Sequence, residues 1–269
     1  MSQTFRRSAG ALLLGLLALS FPSSSRAEGI KLGGTGAATE FLRRLGSAFA
    51  AQSSVVMEVV PGMGSSGALQ ALGDGAIDVV AAARPLNAAE TAKGLTVAFR
   101  LRTPFVFVTS HPGGQGLSLA EFLRAYSSPN MAWSDGEPMR VILRPKLESD
   151  TLLMEELFPG MSGAMEAARK RPDIPVAATD QDNANLAERT PGSIAGMTYL
   201  QAVMEGRNLR MITLDGVEPT LENFERGAYP YGKSIDFVIS PKPKPEVERF
   251  LAFVRSPDGQ DLYRRAHGF

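Results

Sequence analysis

The sequence of 269 residues predicts an α/β fold. Three observations carry that prediction. Strand-like and helix-like patterns alternate from Gly29 onward, which predicts a mainly parallel sheet covered by helices. Glycine-rich turns fall where strand patterns give way to helix patterns. The chain has no cysteine and 44% hydrophobic residues, so a packed core rather than disulfides must hold it.

The elements follow in order. Residues 29–34 are a short strand running into a glycine-rich turn. Residues 39–51 carry Phe41, Leu42, Leu45, Ala48 and Phe49 at helical spacing. Residues 54–60 are Val-rich and strand-like. Pro61 to Gly67 break that strand, and residues 68–72 resume as a helix. Residues 76–82 are small or apolar except Asp78 and read as a buried strand. Residues 96–110 read as strand through Pro104. His111-Pro112-Gly113-Gly114-Gln115-Gly116 is a turn and a plausible crossing between lobes. Ser118, with Glu121 three residues later, opens a capped helix. Strands are expected at 139–143, 174–178, 193–197 and 236–239. Helices are expected at 149–157, 161–171, 198–205, 245–254 and 259–267.

Residues 1–27 read as a secretory signal peptide. Arg6 and Arg7 precede an apolar run over 9–21, too short for a bilayer span of about 20 residues. Small residues, Ser25 and Ala27, flank Arg26 at the cleavage site. Loss of this segment removes three arginines and no acid, so the net charge moves from zero to minus three. Nucleic-acid binding through a general positive field is not expected. After cleavage no membrane insertion is expected, and the localisation expected is the periplasm.

Catalytic constellations are thin. Cys-based catalysis and Cys-based zinc sites are excluded, and His111 and His267 are the two histidines. Gly64-Ser65-Ser66-Gly67 is not a nucleophile elbow in register, and no nucleotide phosphate loop is present. No enzyme activity, metal or cofactor is expected. Phe105, Phe107 and Trp133 read as core.

The turns carry the chemistry. Gly34-Thr35-Gly36-Ala37 and Gly64-Ser65-Ser66-Gly67 each stand between a strand and a helix. Ligands of open α/β sheets bind at the carboxyl ends of strands, where backbone N–H groups and helix N-termini attract anions. Thr35, Ser65 and Ser66 add hydroxyl donors. Plain helix capping is the bland alternative. Arg84 follows the third strand, facing either cleft or solvent. Arg144 follows the strand at 139–143, where a guanidinium clamps an oxyanion well. Ser149, Asp150 and Thr151 open the next helix, as ligand donors or as its cap. Thr179-Asp180-Gln181-Asp182-Asn183 is a further acid-bearing turn, for which capping is again the alternative.

These segments together resemble the substrate-binding proteins of phosphate-type ABC importers, of the periplasmic-binding-protein superfamily, over nearly all of residues 28–269. The resemblance rests on the two glycine turns, on Gly75 to Leu86, on Arg144 with Ser149-Asp150-Thr151, on Thr190 to Gly196, and on Gly227-Ala228-Tyr229-Pro230. It implies two α/β lobes, each a mainly parallel sheet flanked by helices, joined by two hinge strands. Lobe I would hold residues 28–108 and 228–269, and lobe II residues 109–227. The chain would cross near 108–114 and return near 226–231. A small oxyanion, phosphate foremost, would bind between the lobes for delivery to ABC permease subunits, with the protein a monomer. Implied ligand contacts are Thr35, Gly36, Ala37, Ser65, Arg144, Ser149 and Thr151; Gly64, Ser66 and Arg84 are added from the turns. Ala83 stands where the family often has an acceptor Asp, and Asp150 stands where Gly is usual. Asp150 or Asp180 could replace that acceptor, and Asp150 is the one hypothesised. A secreted sensor or accessory protein of the same fold, with a different ligand or none, is the alternative.

Overall fold

A computed structural model describes residues 29–113 and 116–265. The expected signal peptide and His267 lie outside the described residues. In the first lobe, β1 (Ile30–Gly34) leads through a 3₁₀ turn (Gly36–Ala38) into α1 (Thr39–Ser53). Then come β2 (Met57–Val59), α2 (Gly64–Gly73), β3 (Val79–Ala82) and α3 (Ala88–Ala92). β4 (Thr96–Thr109) runs out of this lobe. The second lobe holds α4 (Leu119–Ser127), β5 (Arg140–Val141), α5 (Ser149–Leu157), α6 (Met161–Arg169) and α7 (Asp180–Arg189). It continues with β6 (Ser193–Thr198), α8 (Tyr199–Met204), β7 (Arg210–Met211) and α9 (Leu221–Glu225). The chain returns through β8 (Gly232–Ile239) and closes with α10 (Pro245–Arg255) and α11 (Pro257–Arg265).

The strand order is β2-β1-β3-β8-β4-β6-β5, with β7 beside β4. β1 pairs parallel with β2 and β3, and β5 pairs parallel with β6. β8 is antiparallel to both β3 and β4, and β4 is antiparallel to β6. The sheets are therefore mixed where a mainly parallel arrangement was expected. The reason is connectivity: β4 leaves the first lobe and β8 returns to it, so the two linking strands run in opposite directions side by side.

β4 changes partner between Pro104, which faces Gly232, and Phe105, which faces Thr198. Phe105 and Phe107 decide the change, because their rings pack with Phe122 and Phe158 in the second core. Tyr229 locks the junction by donating its hydroxyl to the Phe105 carbonyl at 2.8 Å. The first core gathers Ile30, Leu32, Phe41, Leu45, Phe237 and Phe250. α8 belongs to both bodies: Leu200 and Met204 enter the first core, while Tyr199 and Ala202 pack beside β6.

Two local readings change. Gly64-Ser65-Ser66-Gly67 is the first turn of α2 rather than a loop. Pro61 and Gly62 have already broken the strand, and glycine and serine are tolerated in a first helical turn. The strand expected at 174–178 is reduced to a single bridge, Leu143 to Val176. The capping box at Ser118 and Glu121 is present.

Candidate functional site

A cleft of about 810 Å³ opens along one edge of the sheets. The carboxyl ends of β1, β2, β3 and β5 point to it, and so does the start of β8, because that strand runs the other way. Glycine sets the geometry at two points. Gly34 has φ +146°, and a Cβ there would lie 2.1 Å from the Ala81 carbonyl oxygen. At Gly36 a Cβ would meet Gln181 Oε1 at 2.6 Å and Asp180 Oδ2 at 2.7 Å. Only bare backbone lets the turn after β1 touch the start of α7.

Of the residues expected from sequence, Thr35, Gly36, Gly64, Ser65, Ser66, Arg84, Arg144, Ser149 and Asp180 line the cleft. Ala37, Asp150 and Thr151 do not. Ala37 contributes its backbone N–H, which donates to Asp180 Oδ2 at 2.8 Å. Thr151 is buried and donates its hydroxyl to the Arg144 carbonyl at 3.4 Å. Asp150 is buried and paired with Lys233, so it does not stand as a cleft acceptor.

The first turn holds a carboxylate of its own protein. Asp180 Oδ2 accepts from Thr35 Oγ1 at 3.1 Å and from the Ala37 N–H, and Oδ1 accepts from Arg144 Nη2 at 3.1 Å. Thr35 and Ala37 belong to the first lobe, and Arg144 and Asp180 to the second. Arg144 is 7% exposed, and its Nη1 donates to the Ala177 carbonyl at 3.3 Å. Its Nε is buried without a hydrogen-bond partner.

The second turn is open. α2 has no side-chain cap, and Gly64, Ser65, Ser66 and Gly67 of its first turn line the cleft. Ser65 Oγ accepts from the Ala83 N–H at 2.9 Å, which leaves its own O–H to donate. Ser66 Oγ accepts from Arg84 Nε at 3.1 Å. Arg84 does line the cleft, but its guanidinium is held bidentately by Glu90 at 2.7 and 2.9 Å.

The start of α5 is closed. Glu148 caps it, accepting from the Asp150 N–H at 2.7 Å and from Ser149 Oγ at 2.9 Å. Lys233 Nζ donates to Ser149 Oγ at 2.9 Å and to the Asp150 carboxylate. Carboxylate oxygens of Glu148, Asp150 and Asp180 lie within 4.8 Å of one another, and Arg144 and Lys233 supply the opposing charge. Burial pushes the Asp150 carboxyl from 3.8 up to about 6, against the pull of Lys233. Glu148 feels the same burial, yet Lys233 and Arg144 hold it below the usual carboxylate range.

Sequence reasoning missed Lys233 and Arg100. Lys233 lies in phase with Ile235 and Phe237 on β8, the buried face. A lysine at that register is the signal that could have found it. Arg100 sits opposite Asp236 in the β4–β8 register and is bound bidentately at 2.6 and 2.8 Å. Among the described residues, every cation lining the cleft therefore has a carboxylate partner.

The fold and this cleft define a two-lobed ligand-binding protein. A family model described as a PBP superfamily domain matches residues 20–258, and the chain belongs to that superfamily. Its structure is similar to that of a protein assigned as a phosphate ABC transporter substrate-binding protein, with bound phosphate, from Clostridium perfringens. That match has a TM-score of 0.73 and 17% identity, covering 89% of this chain and 98% of that one. It is also similar to an ABC-type phosphate transport receptor from Vibrio cholerae, with a TM-score of 0.59 and 15% identity, covering 88% and 98%. The effector-binding domain of QuiR in complex with shikimate shares the fold at a TM-score of 0.52 and 13% identity, covering 84% and 94%. No curated protein sequence matches the chain. Among the described residues, no helix is long and apolar enough to cross a membrane.

Proposed function

We propose that this protein is an extracytoplasmic solute-binding protein that captures phosphate or a related small oxyanion between its lobes for an ABC importer. The single observation that supports this most is the seat formed by Thr35 Oγ1, the Ala37 N–H and Arg144 Nη2, which converge on one anionic group. Next to it stand the uncapped start of α2 and the free hydroxyl proton of Ser65. Charge-assisted donors of this kind suit an oxyanion, and closure around it excludes water and strengthens each contact. The reading assigns no bond-making step. The protein would act as a monomer, and its liganded form would meet the permease subunits in the periplasm after removal of residues 1–27.

The test is thermal unfolding of ligand-stripped protein against phosphate, sulfate, molybdate, phosphonates and small carboxylates. A ligand held only by the folded state stabilises by about 2.7 kcal/mol at a hundredfold excess over Kd. We expect a shift with a tetrahedral oxyanion, lost in Arg144→Met. No shift with any oxyanion overturns the reading. One observation favours a second reading, a sensor or accessory protein with another ligand: the cleft cations are already paired with carboxylates. A shift with a neutral or cationic solute alone would select it.

A further inference from the structure

We infer that Asp180 is a built-in occupant of the oxyanion seat, which an incoming ligand must displace. The inference rests on the oxyanion reading of this cleft. A carboxylate is itself an oxyanion. Asp180 takes the Thr35 hydroxyl, the Ala37 N–H and the Arg144 guanidinium, the three donors that a captured oxyanion would use. It crosses from the second lobe to do so, and Gln181 beside it donates to the Gly36 carbonyl at 3.0 Å. The missing Cβ at Gly36 is what admits both side chains.

A second observation points to a ligand at the same place. Arg144 is more than nine-tenths buried, lines the cleft, and keeps its Nε without a partner. A buried guanidinium N–H left unpaired is costly. Asp180 engages Nη2 and leaves Nε unused. A tetrahedral oxyanion has more oxygens than a carboxylate, so it can answer both nitrogens and still accept from Thr35 and Ala37.

Specificity follows from this competition. A monocarboxylate offers the seat no more than Asp180 already gives it, and Asp180 has the advantage of being tethered. It therefore fails to displace the resident group. A dianion with three or four oxygens offers more charge and more acceptors, and it succeeds. Asp180 is thus a filter against small carboxylates, and its removal should relax selectivity while tightening affinity. This is opposite in sign to a role in which Asp180 accepts a proton from a bound protonated oxyanion, where its removal would weaken binding.

The experiment compares ligand-stripped wild type, Asp180→Asn and Asp180→Ala. Calorimetry measures phosphate and sulfate affinity, and thermal unfolding measures the response to formate. The isosteric Asp180→Asn guards against a fold lost through the smaller residue. We expect tetrahedral oxyanions to bind both variants at least tenfold more tightly than wild type. We expect formate to raise the unfolding midpoint of Asp180→Ala, by refilling the vacated seat, and not that of wild type. Equal or weaker oxyanion binding in both variants, with no formate response, overturns the inference while leaving the receptor reading intact. A formate response confined to Asp180→Ala, with no tetrahedral oxyanion bound by any of the three proteins, upholds the seat and overturns the oxyanion receptor. No response of any kind overturns both.

Discussion

A lysine on the apolar face of a strand is costly unless a carboxylate meets it, and removing one partner strands the other. Lys233 and Asp150 are each about 5% exposed or less, and they meet across the junction between β8 and α5. Lys233→Met should therefore destabilise the fold by about 3–5 kcal/mol. The double variant Lys233→Met, Asp150→Leu should recover much of that in urea unfolding. The pH dependence has a definite sign. The Asp150 carboxyl in the folded protein is pushed up to about 6, above its ordinary 3.8. Between about pH 4 and 6 the folded state keeps a proton there that the unfolded chain has released. The contribution is greatest at the acid end and is lost as pH rises through 6. The unfolding free energy of wild type minus that of Asp150→Asn should fall from pH 4 to pH 6.5. A flat difference would show that the Lys233 charge fully offsets the effect of burial on Asp150.

At the scale of elements, the helix starts decide what each turn can do. α5 is capped by Glu148, α7 by Thr179, and α2 by no side chain. All three starts line the cleft, and α2 is the one of them without a side-chain cap. Gly36→Ala tests the fit between the turn after β1 and α7. Its Cβ would meet the Asp180 and Gln181 side chains at under 3 Å. We expect a loss of about 1–3 kcal/mol, as for other overpacked sites. Gly62→Ala, where no neighbour lies within 4 Å but φ is +75°, separates backbone strain from this crowding.

How much of this was legible in the sequence differs by element. β1, α1, β4 and α10 were readable because their apolar periods are clean. The start of α2 was not, because Gly-Ser-Ser-Gly has the composition of a loop and only tertiary position makes it helical. The residues of the cleft were largely legible, since turns at strand ends are local features. Their pairing was not. Asp180 lies 145 residues from Thr35 along the chain, and nothing local in either segment announces the other. The same holds for Lys233 and Asp150, 83 residues apart.

At the scale of the molecule, α8 joins the two lobes. Leu200 and Met204 face the first core, while Tyr199 and Ala202 face β6 and its neighbours in the second lobe. The two lobes should then unfold in one transition. Leu200→Ala should cost about 2–5 kcal/mol. Trp133, the sole tryptophan, lies in the second core. Its fluorescence should lose stability by the same amount as far-UV circular dichroism. Separate midpoints for the two signals would show lobes that melt independently.

The position of β8 has a consequence for how the chain acquires its shape. β8 is made late, from residues 232–239, yet it fills the middle of the first sheet between β3 and β4. A polypeptide appearing from its N-terminus first would have β1, β2 and β3 in hand while β3 still lacked its neighbour. That bare edge, all apolar over Val79–Ala82, would stay open to any other strand until more than 150 further residues had emerged. The first lobe is thus the last to be finished.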